Sequence, residues 1–468
     1  MPDNSSINLI NIPDASPYLN TLLKQIYDEF YVSDEKVDEI IKGFHDEMRA
    51  GLDEHNVLLP MIPSYVTGRP TGKESGSYLA LDLGGTNLRV CLVTLNGDST
   101  FDMIQQKFTI SQEAKDFTLF DWIAQCVDIF LEENKISYDD FTKPTPCAFT
   151  FSFPIDQTGI ARGNLIMWNK GFSVPNAVGR DIVTLTQNAF TRKHVNVKIV
   201  AIINDTIGSL MASAYTNPNC YMGIIFGTGT NACYWEKVSN IKKWSTGNLD
   251  RNPDEMIVNM EWGAFDNKLQ VLPFTPHDNK LNRKSQNHGL QVFEKMISGM
   301  YLGEVIRNAI LWLVDRRVLF GGRSSEILNN AYSLDTAYVS VIVADDSPNL
   351  DEVRMFIEST LSIPGTTFTD RAVVKNVCKL IGGRAKRLSA AAMCAVLLWR
   401  PEVLDNPITI GVDGSMYQFY PKFAESLKVE AIRVLGKEKA DNLNIILSKD
   451  GSGVGAAVVA MTVSKPAH

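Results

Sequence analysis

Apolar positions near the start of the chain recur at helical spacing and predict two amphipathic helices. "LLKQIYDEF" is the first, and "KVDEIIKGFHDEM" is the second, with one apolar face made of Val37, Ile40, Ile41, Phe44 and Met48. Ser33 is the expected N-cap of the second helix, because its hydroxyl can accept a hydrogen bond from a free backbone N–H. Residues 1–17 are polar and contain prolines, so we expect a flexible tail there.

Strand patterns and helical patterns alternate along the remainder of the chain. Residues 119–133 and most of 287–400 have helical periodicity, "PCAFTFSFP" predicts a buried strand, and "VKIVAIINDTIGSLMASAY" predicts a strand, a polar turn and a helix. Three further segments predict an apolar strand, a glycine turn and a second strand, namely Leu79–Val90, Tyr221–Trp235 and Ile408–Tyr420. This alternation predicts an α/β fold, and the Pro- and Gly-rich segment "PMIPSYVTGRPTGKESG" predicts a hinge.

The composition narrows the class of protein. The chain has 468 residues, enough for two domains, and a net charge of −8, which disfavours a nucleic-acid partner. Its seven cysteines form no CxxC pair, its six histidines show no metal-ligand spacing, and its first residues lack a signal-peptide pattern. The longest apolar run, Ala390–Trp399, is shorter than the roughly 20 residues that cross a membrane. We therefore expect a cytoplasmic protein with no membrane partner.

The glycine turns favour nucleotide binding. Glycine at a turn tip lets backbone N–H groups approach an anion without a Cβ in the way, and Thr or Ser adds a hydroxyl donor. One such turn alone is more often a simple hairpin, but three in one chain favour a polyphosphate ligand. Other nucleotide and hydrolase motifs fail: "GRPTGKE" is one residue short of a P-loop, "GSGVGAA" is not a dinucleotide fingerprint, and no GxSxG occurs.

A set of long motifs in fixed order resembles the hexokinase family, in its fungal branch. "LALDLGGTNLRV" and "IIFGTGTNACYWE" resemble its phosphate motifs, "FTFSFP", "LIMWNKGF", "MEWGAFDN" and "QVFEKMISGMYLGE" its sugar motifs, "INDTIGSL" its catalytic segment, and "VDGSMYQFYP" with "DGSGVGAA" its adenosine end. The resemblance covers about residues 60–458. It implies an actin-like ATPase fold of two α/β domains with a central cleft.

The resemblance also implies domain limits. The large domain would comprise 18–73 and 205–453, and the small domain 74–204 and 454–468, after the tail at 1–17. The chain would then cross between domains near residue 70 and at Asn204-Asp205, and sugar binding would close the cleft by induced fit. A monomer or a homodimer is compatible with the sequence.

The resemblance implies an ATP-dependent kinase that acts on the 6-hydroxyl of glucose or a related hexose, with ATP and Mg²⁺. Asp205 would be the general base, although the sequence also allows it to be a helix N-cap, a role that Thr206 could take instead. Lys170 would add a catalytic charge. The implied sugar contacts are Ser152, Phe153, Asn169, Lys170, Asn204, Asp205, Asn231, Glu261 and Glu294, and we expect Trp168, Phe172 and Trp262 to be core aromatics behind them.

The implied phosphate and metal contacts lie in the glycine turns. Asp82 would face Mg²⁺ through water, because Mg²⁺ usually keeps several of its waters. The implied ATP contacts are Asp82, Gly84, Gly85, Thr86, Asn87, Arg89, Thr228, Gly229, Gly414 and Ser415, of which Arg89 could equally be a surface residue.

Departures from the family pattern leave the sugar open. Asn169 stands where the family has Thr, and "FTPHDNKLNRKSQNHG" replaces a segment with Lys-Tyr-Asp and Asn-Pro-Gly, so that His288 takes the Pro position. An N-acetylglucosamine kinase on the same scaffold is therefore an alternative to a glucose kinase. A sugar sensor without turnover, or a heat-shock- or actin-like ATPase, fits the intact sugar and catalytic residues less well.

Overall fold

The computed structural model describes residues 9, 11–12, 15–136, 143–168, 171–244, 253–448 and 450–464. Its strands are β1 (Ile62–Pro63), β2 (Ser75–Leu83), β3 (Asn87–Asn96), β4 (Phe101–Thr109), β5 (Thr145–Phe151), β6 (Ile155–Gly159), β7 (Arg162–Leu165), β8 (Val197–Ile203), β9 (Cys220–Phe226), β10 (Thr230–Lys237), β11 (Glu255–Asn259), β12 (Ile408–Asp413) and β13 (Leu443–Leu447). Its α-helices are α1 (Pro17–Phe30), α2 (Asp34–Asp53), α3 (Leu119–Glu133), α4 (Ile182–Arg192), α5 (Asp205–Thr216), α6 (Pro276–Lys284), α7 (Val292–Ile297), α8 (Gly299–Asp315), α9 (Glu326–Asn329), α10 (Thr336–Ala344), α11 (Asp351–Met355), α12 (Phe368–Trp399), α13 (Ser415–Phe419), α14 (Phe423–Leu435), α15 (Lys437–Asp441) and α16 (Gly451–Ser464).

Two mixed sheets with the same strand pattern form the centre of the fold. The five-stranded sheet has the order β4-β3-β2-β5-β8, and the six-stranded sheet has the order β1-β11-β10-β9-β12-β13. Each has three successive antiparallel strands followed by two parallel ones, and β1 adds a fourth antiparallel strand at the edge of the six-stranded sheet. The predicted α/β class is therefore confirmed. None of the helices in the described ranges is both long enough and apolar enough to span a membrane.

The helices α5 and α16 cross between the two sheets. The chain leaves β8 of the five-stranded sheet and enters α5, which packs on β9 of the six-stranded sheet, whereas α16 follows β13 and packs on β2. The two helices meet at glycines: a Cβ at Gly455 would lie 1.8 Å from the Gly208 carbonyl oxygen. The hinge segment also passes from one sheet to the other, since β1 pairs with β11 and β2 pairs with β3 and β5.

Local sequence signals predict several elements correctly. In α2 the Ser33 hydroxyl accepts a hydrogen bond from Lys36 N, and the predicted apolar face is buried. The helix at 119–133 and the mainly helical region before residue 400 are also confirmed. The predicted tail is slightly too long, because Ser16 caps α1 and Pro17 begins it; residues 1–8, 10, 13 and 14 lie outside the described residues.

One of the three predicted strand–turn–strand segments is wrong. The segments at 79–90 and 221–235 are antiparallel hairpins, but the chain after Gly414 forms α13 instead of a second strand. Both edges of β12 are already occupied by the parallel neighbours β9 and β13. A strand that returned from Gly414 would find no free edge beside β12, so the chain leaves the sheet.

Candidate active site

A hydrogen-bonded chain of three amides and a carboxylate joins three strand ends of the two sheets. Asn204 follows β8, Asn231 lies at the start of β10, and Asn259 ends β11. The Asn231 amide nitrogen donates to Asn259 Oδ1 at 2.8 Å and Glu261 Oε1 at 3.1 Å, and it lies 3.5 Å from Asn204 Oδ1. Asn259 Nδ2 donates to the same Glu261 oxygen at 2.8 Å. Three of the predicted sugar-binding residues are therefore brought together.

Glu261 reaches this network through an unusual backbone conformation. Its φ of 55° lies in the left-handed region, where non-glycine residues are uncommon and the conformation costs energy. The strand β11 ends two residues earlier, and Met260 N still donates to Ala232 O. The left-handed turn at Glu261 therefore ends the ladder and sends the carboxylate back towards Asn231.

The side chain of Asn204 caps α5, and Asp205 is the first residue of that helix. Asn204 Oδ1 accepts from Thr206 N at 2.9 Å and from the Thr206 hydroxyl at 2.8 Å. Neither of the alternatives for the N-cap, Asp205 or Thr206, is correct: Asn204, which precedes both, has the extended backbone that a cap requires. Asp205 Oδ1 lies 2.9 Å from Thr206 N, so the carboxylate is at the positive end of the α5 dipole.

Glu294 adjoins the same network from α7. Its Oε2 accepts a hydrogen bond from Thr230 N at 3.0 Å, and Trp262 Nε1 donates to the Thr230 hydroxyl at 2.9 Å. Because Thr230 directly precedes Asn231, this contact places the second predicted carboxylate beside the amide network. Trp262 is fully buried, as predicted for a core aromatic.

The segment that departs from the family pattern is anchored to α7 by a buried lysine. Lys295 Nζ donates to Asn282 Oδ1 at 2.9 Å and to Asn287 O at 2.7 Å, and Asn282 Oδ1 also accepts from Gly289 N. Burial lowers the pKa of Lys295 to about 8. The loop that carries His288 is thus tied to the helix that carries Glu294.

An aromatic cluster lies behind the predicted sugar contacts after β5. The ring of Phe153 is 5.2 Å from that of Trp168 and 5.0 Å from that of Phe172, and Trp168 stacks on Phe172 at 5.5 Å. Trp168 Nε1 donates to Val174 O at 3.0 Å, which fixes the Trp168 side chain against the backbone at Val174. Ser152 directly precedes Phe153. Asn169 and Lys170 lie outside the described residues, so their roles stay predictions.

The glycine turns are closed by backbone hydrogen bonds. In the first turn Gly84 N donates to Asn87 O at 2.9 Å, and the Asn87 side chain donates to the Thr86 hydroxyl; Gly85 lies between them. In the second, Gly227 N donates to Gly229 O, and Met300 N at the start of α8 donates to Thr228 O. The hydroxyls of Thr86 and Thr228 belong to exposed residues.

The second turn adjoins Gly414 because β9 and β12 are parallel neighbours that end at the same edge. Gly414 has a φ of 113°, and a Cβ there would lie 2.3 Å from the Phe226 carbonyl oxygen, so no other residue fits without a shift. Ser415, which begins α13, is exposed at this edge.

A charged cluster connects the first hairpin with the start of α16. Arg89 donates to Asp82 Oδ2 through Nε at 3.0 Å and Nη2 at 2.7 Å, and the Ser452 hydroxyl donates to the same oxygen at 2.8 Å. Burial alone would lower the pKa of Arg89, but the neighbouring Asp82 raises it above its usual range. Arg89 is therefore not an isolated surface residue.

Asp413 faces this cluster from the end of β12. Burial raises the pKa of its carboxyl, and the charges of Arg89, Asp450 and Asp82 also act on it. Its Oδ1 accepts from Gly414 N at 2.6 Å. Asp82 and Arg89 of the first hairpin are therefore close enough to the end of β12 for their charges to act on Asp413.

Two residues of the site were missed in the sequence. Asn259 precedes Glu261 by two positions and could have been found from strand alternation, because residues i and i+2 share one face. Ser452 lies 370 positions from its partner Asp82. No local sequence pattern links such distant residues.

Comparison with known proteins identifies the family to which the chain is related. Two hexokinase family models match it, over residues 22–215 and 221–462. It is 40% identical to a glucokinase of Aspergillus niger over 90% of this chain and 92% of that protein, and 38% identical to hexokinase-1 of Saccharomyces cerevisiae over 97% and 94%.

Solved structures agree with the sequence comparison. A hexokinase from Schistosoma mansoni complexed with glucose superposes with a TM-score of 0.83 at 35% identity, over 95% of this chain and 99% of that one. A second hexokinase crystal structure gives the same TM-score at 29% identity. The predicted two-domain actin-like ATPase fold is thereby confirmed, and the chain belongs to the hexokinase family.

Proposed function

We propose that this hexose kinase transfers the γ-phosphoryl group of ATP to the 6-hydroxyl of glucose in the cytoplasm, as an entry step of glycolysis. The observation that carries the proposal is the network of Asn204, Asn231 and Glu261 directly beside Asp205. Amides and carboxylates in such an arrangement suit the hydroxyls of a sugar ring, each of which needs a partner once water is excluded.

In the proposed reaction the Asp205 carboxylate accepts the proton of the 6-hydroxyl. The sugar oxygen then forms a bond to the γ-phosphorus, the bond from that phosphorus to the bridging oxygen breaks, and ADP leaves. Positioning and charge neutralisation supply most of the rate in such transfers. A positioned base contributes about 10²–10⁴-fold.

The sugar would be held from both domains. Asn231, Glu261 and Glu294 would contribute from the large domain, and Ser152, Phe153, Asn169 and Lys170 from the small domain, with the Lys170 ammonium as a donor. With the domain limits that the family resemblance implies, Asn204 and Asp205 would lie at the crossing between the domains. Closure about this crossing would assemble the site only when sugar is present, which would limit hydrolysis of ATP by water.

The polyphosphate of ATP would lie between the glycine turns. Gly84, Gly85, Thr86 and Asn87 would face it from one side, and Thr228, Gly229, Gly414 and Ser415 from the other. The adjoining ends of β9 and β12 and the nearby charge of Arg89 support this arrangement.

The residues present fit a water-mediated contact with Mg²⁺. Asp82 Oδ2 is occupied by Arg89 and Ser452, whereas Oδ1 makes no hydrogen bond to any residue that the structure describes. No group of three His, Cys, Asp or Glu side chains suited to a metal occurs in the same ranges. Bound Mg²⁺ would neutralise charge on the phosphates, and Asp82 would orient one of its waters.

Measurement of ADP release with glucose, mannose, fructose and N-acetylglucosamine tests the proposal. We expect turnover with glucose and its loss in Asp205→Ala, with sugar binding retained. Asp181→Ala is a matched control, because Asp181 is also a carboxylate at a helix start, capping α4. Absence of turnover with every sugar, or full activity of Asp205→Ala, would contradict the proposal.

Two further measurements address closure and sugar choice. The radius of gyration from small-angle scattering should fall when glucose is added; an unchanged value would argue against domain closure. Asn169→Thr should shift the preference between glucose and N-acetylglucosamine if residue 169 selects the sugar. If the preference is unchanged, the loop at 275–290 is the better candidate.

A further inference from the structure

Asn259 is the least exposed amide of the network and contacts two of its members. Its side chain is 6% exposed, and it lies at the last position of β11, opposite Cys233 of β10 and Ile62 of β1. With a partner strand on each side, the backbone at this position has little freedom. The side chain therefore starts from a fixed point.

Both ends of the Asn259 amide are assigned by their partners. Its oxygen accepts from Asn231 Nδ2 at 2.8 Å, and its nitrogen donates to Glu261 Oε1 at 2.8 Å. A flipped amide would set its nitrogen against the Asn231 nitrogen and its oxygen against a carboxylate oxygen, so only one orientation satisfies both contacts.

Asn259 in turn restricts the orientations of the Asn231 and Glu261 side chains. Asn231 Oδ1 accepts from Ala232 N at 2.7 Å, so the two N–H bonds of the Asn231 amide point towards Asn259 and Glu261, with Asn204 Oδ1 3.5 Å away. Glu261 Oε1 receives two N–H donors from the protein, from Asn231 and Asn259. These two donors hold the carboxylate on the side that faces Asn231 and Asn259.

We propose that Asn259 is a positioning residue for sugar binding, which fixes the Asn231 amide and holds the Glu261 carboxylate for their contacts with the hexose ring. The inference rests on the proposed function and deepens it. Asn259 acts through its two partners and has no part in proton or phosphoryl transfer. Its loss should therefore raise the KM for hexose and the Kd for hexose, and should change kcat little.

The isosteric change Asn259→Asp is the main test. Aspartate still accepts from Asn231 but cannot donate to Glu261, and it adds a second carboxylate about 2.8 Å from the first. Loss of a hydrogen bond to a charged group costs a factor of roughly 10 to 100 in affinity. We expect the KM for glucose to rise by about that factor with kcat within about threefold of wild type.

The pH dependence separates positioning from a general loss of structure. Two carboxylates so close together cannot both stay ionised at little cost, so one of them takes up a proton as the pH falls. That proton restores a donor between the two side chains. Lowering the pH from 8 to 6 should therefore recover hexose affinity in Asn259→Asp, relative to wild type, and should not do so in Asn259→Ala.

Asn240 provides a matched control within the same chain. Asn240 Nδ2 donates to Glu236 Oε1 at 2.8 Å, which is the same interaction at the end of β10 away from the sugar network. Asn240→Asp should leave the KM for glucose unchanged. Thermal unfolding of all variants shows whether each is folded, and Asn259→Ser is a smaller alternative if the aspartate variant does not fold.

Hexose binding followed by tryptophan fluorescence distinguishes failure of the inference from failure of the proposed function. If wild type binds glucose, the Kd of each variant tests Asn259 whether or not ADP is released. An unchanged Kd in folded Asn259→Asp, or a pH response equal to that of wild type, overturns the inference alone. If wild type binds no hexose, both the function and the inference are overturned.

Discussion

The contact between α5 and α16 allows a stability prediction from one added methyl group. Gly455 of α16 lies against the backbone of Gly208 in α5, and a Cβ would be 1.8 Å from Gly208 O and 2.4 Å from Gly208 C. Both are backbone atoms of a packed helix, so rotation of a side chain cannot relieve the clash. Gly455→Ala therefore has to separate the two helices.

The size of the effect follows from this distance. Contacts of Cβ below 3.0 Å essentially do not occur, so the helices must part by at least about 1.2 Å. Overpacking costs about 1–3 kcal/mol, and this clash belongs at the upper end, at about 3 kcal/mol, because it is between backbone atoms and the new Cβ; alanine returns roughly 1 kcal/mol of helix propensity. We expect Gly455→Ala to lower the free energy of unfolding by about 2 kcal/mol.

Gly453→Ala in the same helix is the matched control. A Cβ there would lie 3.2 Å from the Cys91 sulfur and 3.9 Å from Cys91 Cβ and the Met103 sulfur. All three are side-chain atoms, so the propensity gain is kept and the clash is small. Urea unfolding followed by tryptophan fluorescence should give Gly453→Ala a midpoint near wild type and Gly455→Ala a clearly lower one. Equal midpoints for the two variants would refute the close helix contact as the reason for glycine at 455.

Three further predictions concern the charged groups. Ser452→Ala removes the hydroxyl donor to Asp82 and should raise the KM for ATP by about 3- to 10-fold without changing the KM for glucose, as steady-state kinetics would show. Burial raises the pKa of Glu47 to about 7, above its unfolded value near 4.5, so the protein loses stability as the pH rises through this range. Glu47→Gln should therefore unfold at a higher urea concentration than wild type at pH 8, with a smaller gain at pH 5 and almost none below the unfolded pKa. Asn282→Asp gives the buried Lys295 a carboxylate and should stabilise the protein by about 1–3 kcal/mol at pH 7. The gain should be smaller above pH 9, where the wild-type lysine is already neutral. A gain in urea midpoint over wild type that is the same at pH 7 and pH 9 would contradict this.

Much of the secondary structure could be predicted because its causes are local. Ser33 caps α2 because its hydroxyl directly precedes the first residue of an amphipathic helix, and Gly84-Gly85 and Gly227-Thr228-Gly229 turn the chain between two apolar strands. Such signals act over a few residues. The sequence also shows which positions carry hydrogen-bond donors and acceptors, and its long motifs indicate the hexokinase family.

The order of strands decided what the local patterns could not. The alternation of apolar and polar residues after Gly414 predicts a strand, but β12 already has a parallel neighbour on each edge. The segment therefore forms α13 instead. The turn at Asn204-Asp205 offers three capping side chains, and the backbone conformation selected Asn204. In both cases the local sequence allowed more than one structure, and the surrounding fold determined which one formed.

The sequence by itself determined the α/β class, most helices and hairpins, and the residue types that a sugar kinase needs. Only the tertiary structure joined Ser452 to Asp82 and placed Asn259 between Asn231 and Glu261. The physical reason is that a hydrogen bond depends on distance and angle in space, and strands from distant parts of the chain meet only once the sheets have formed.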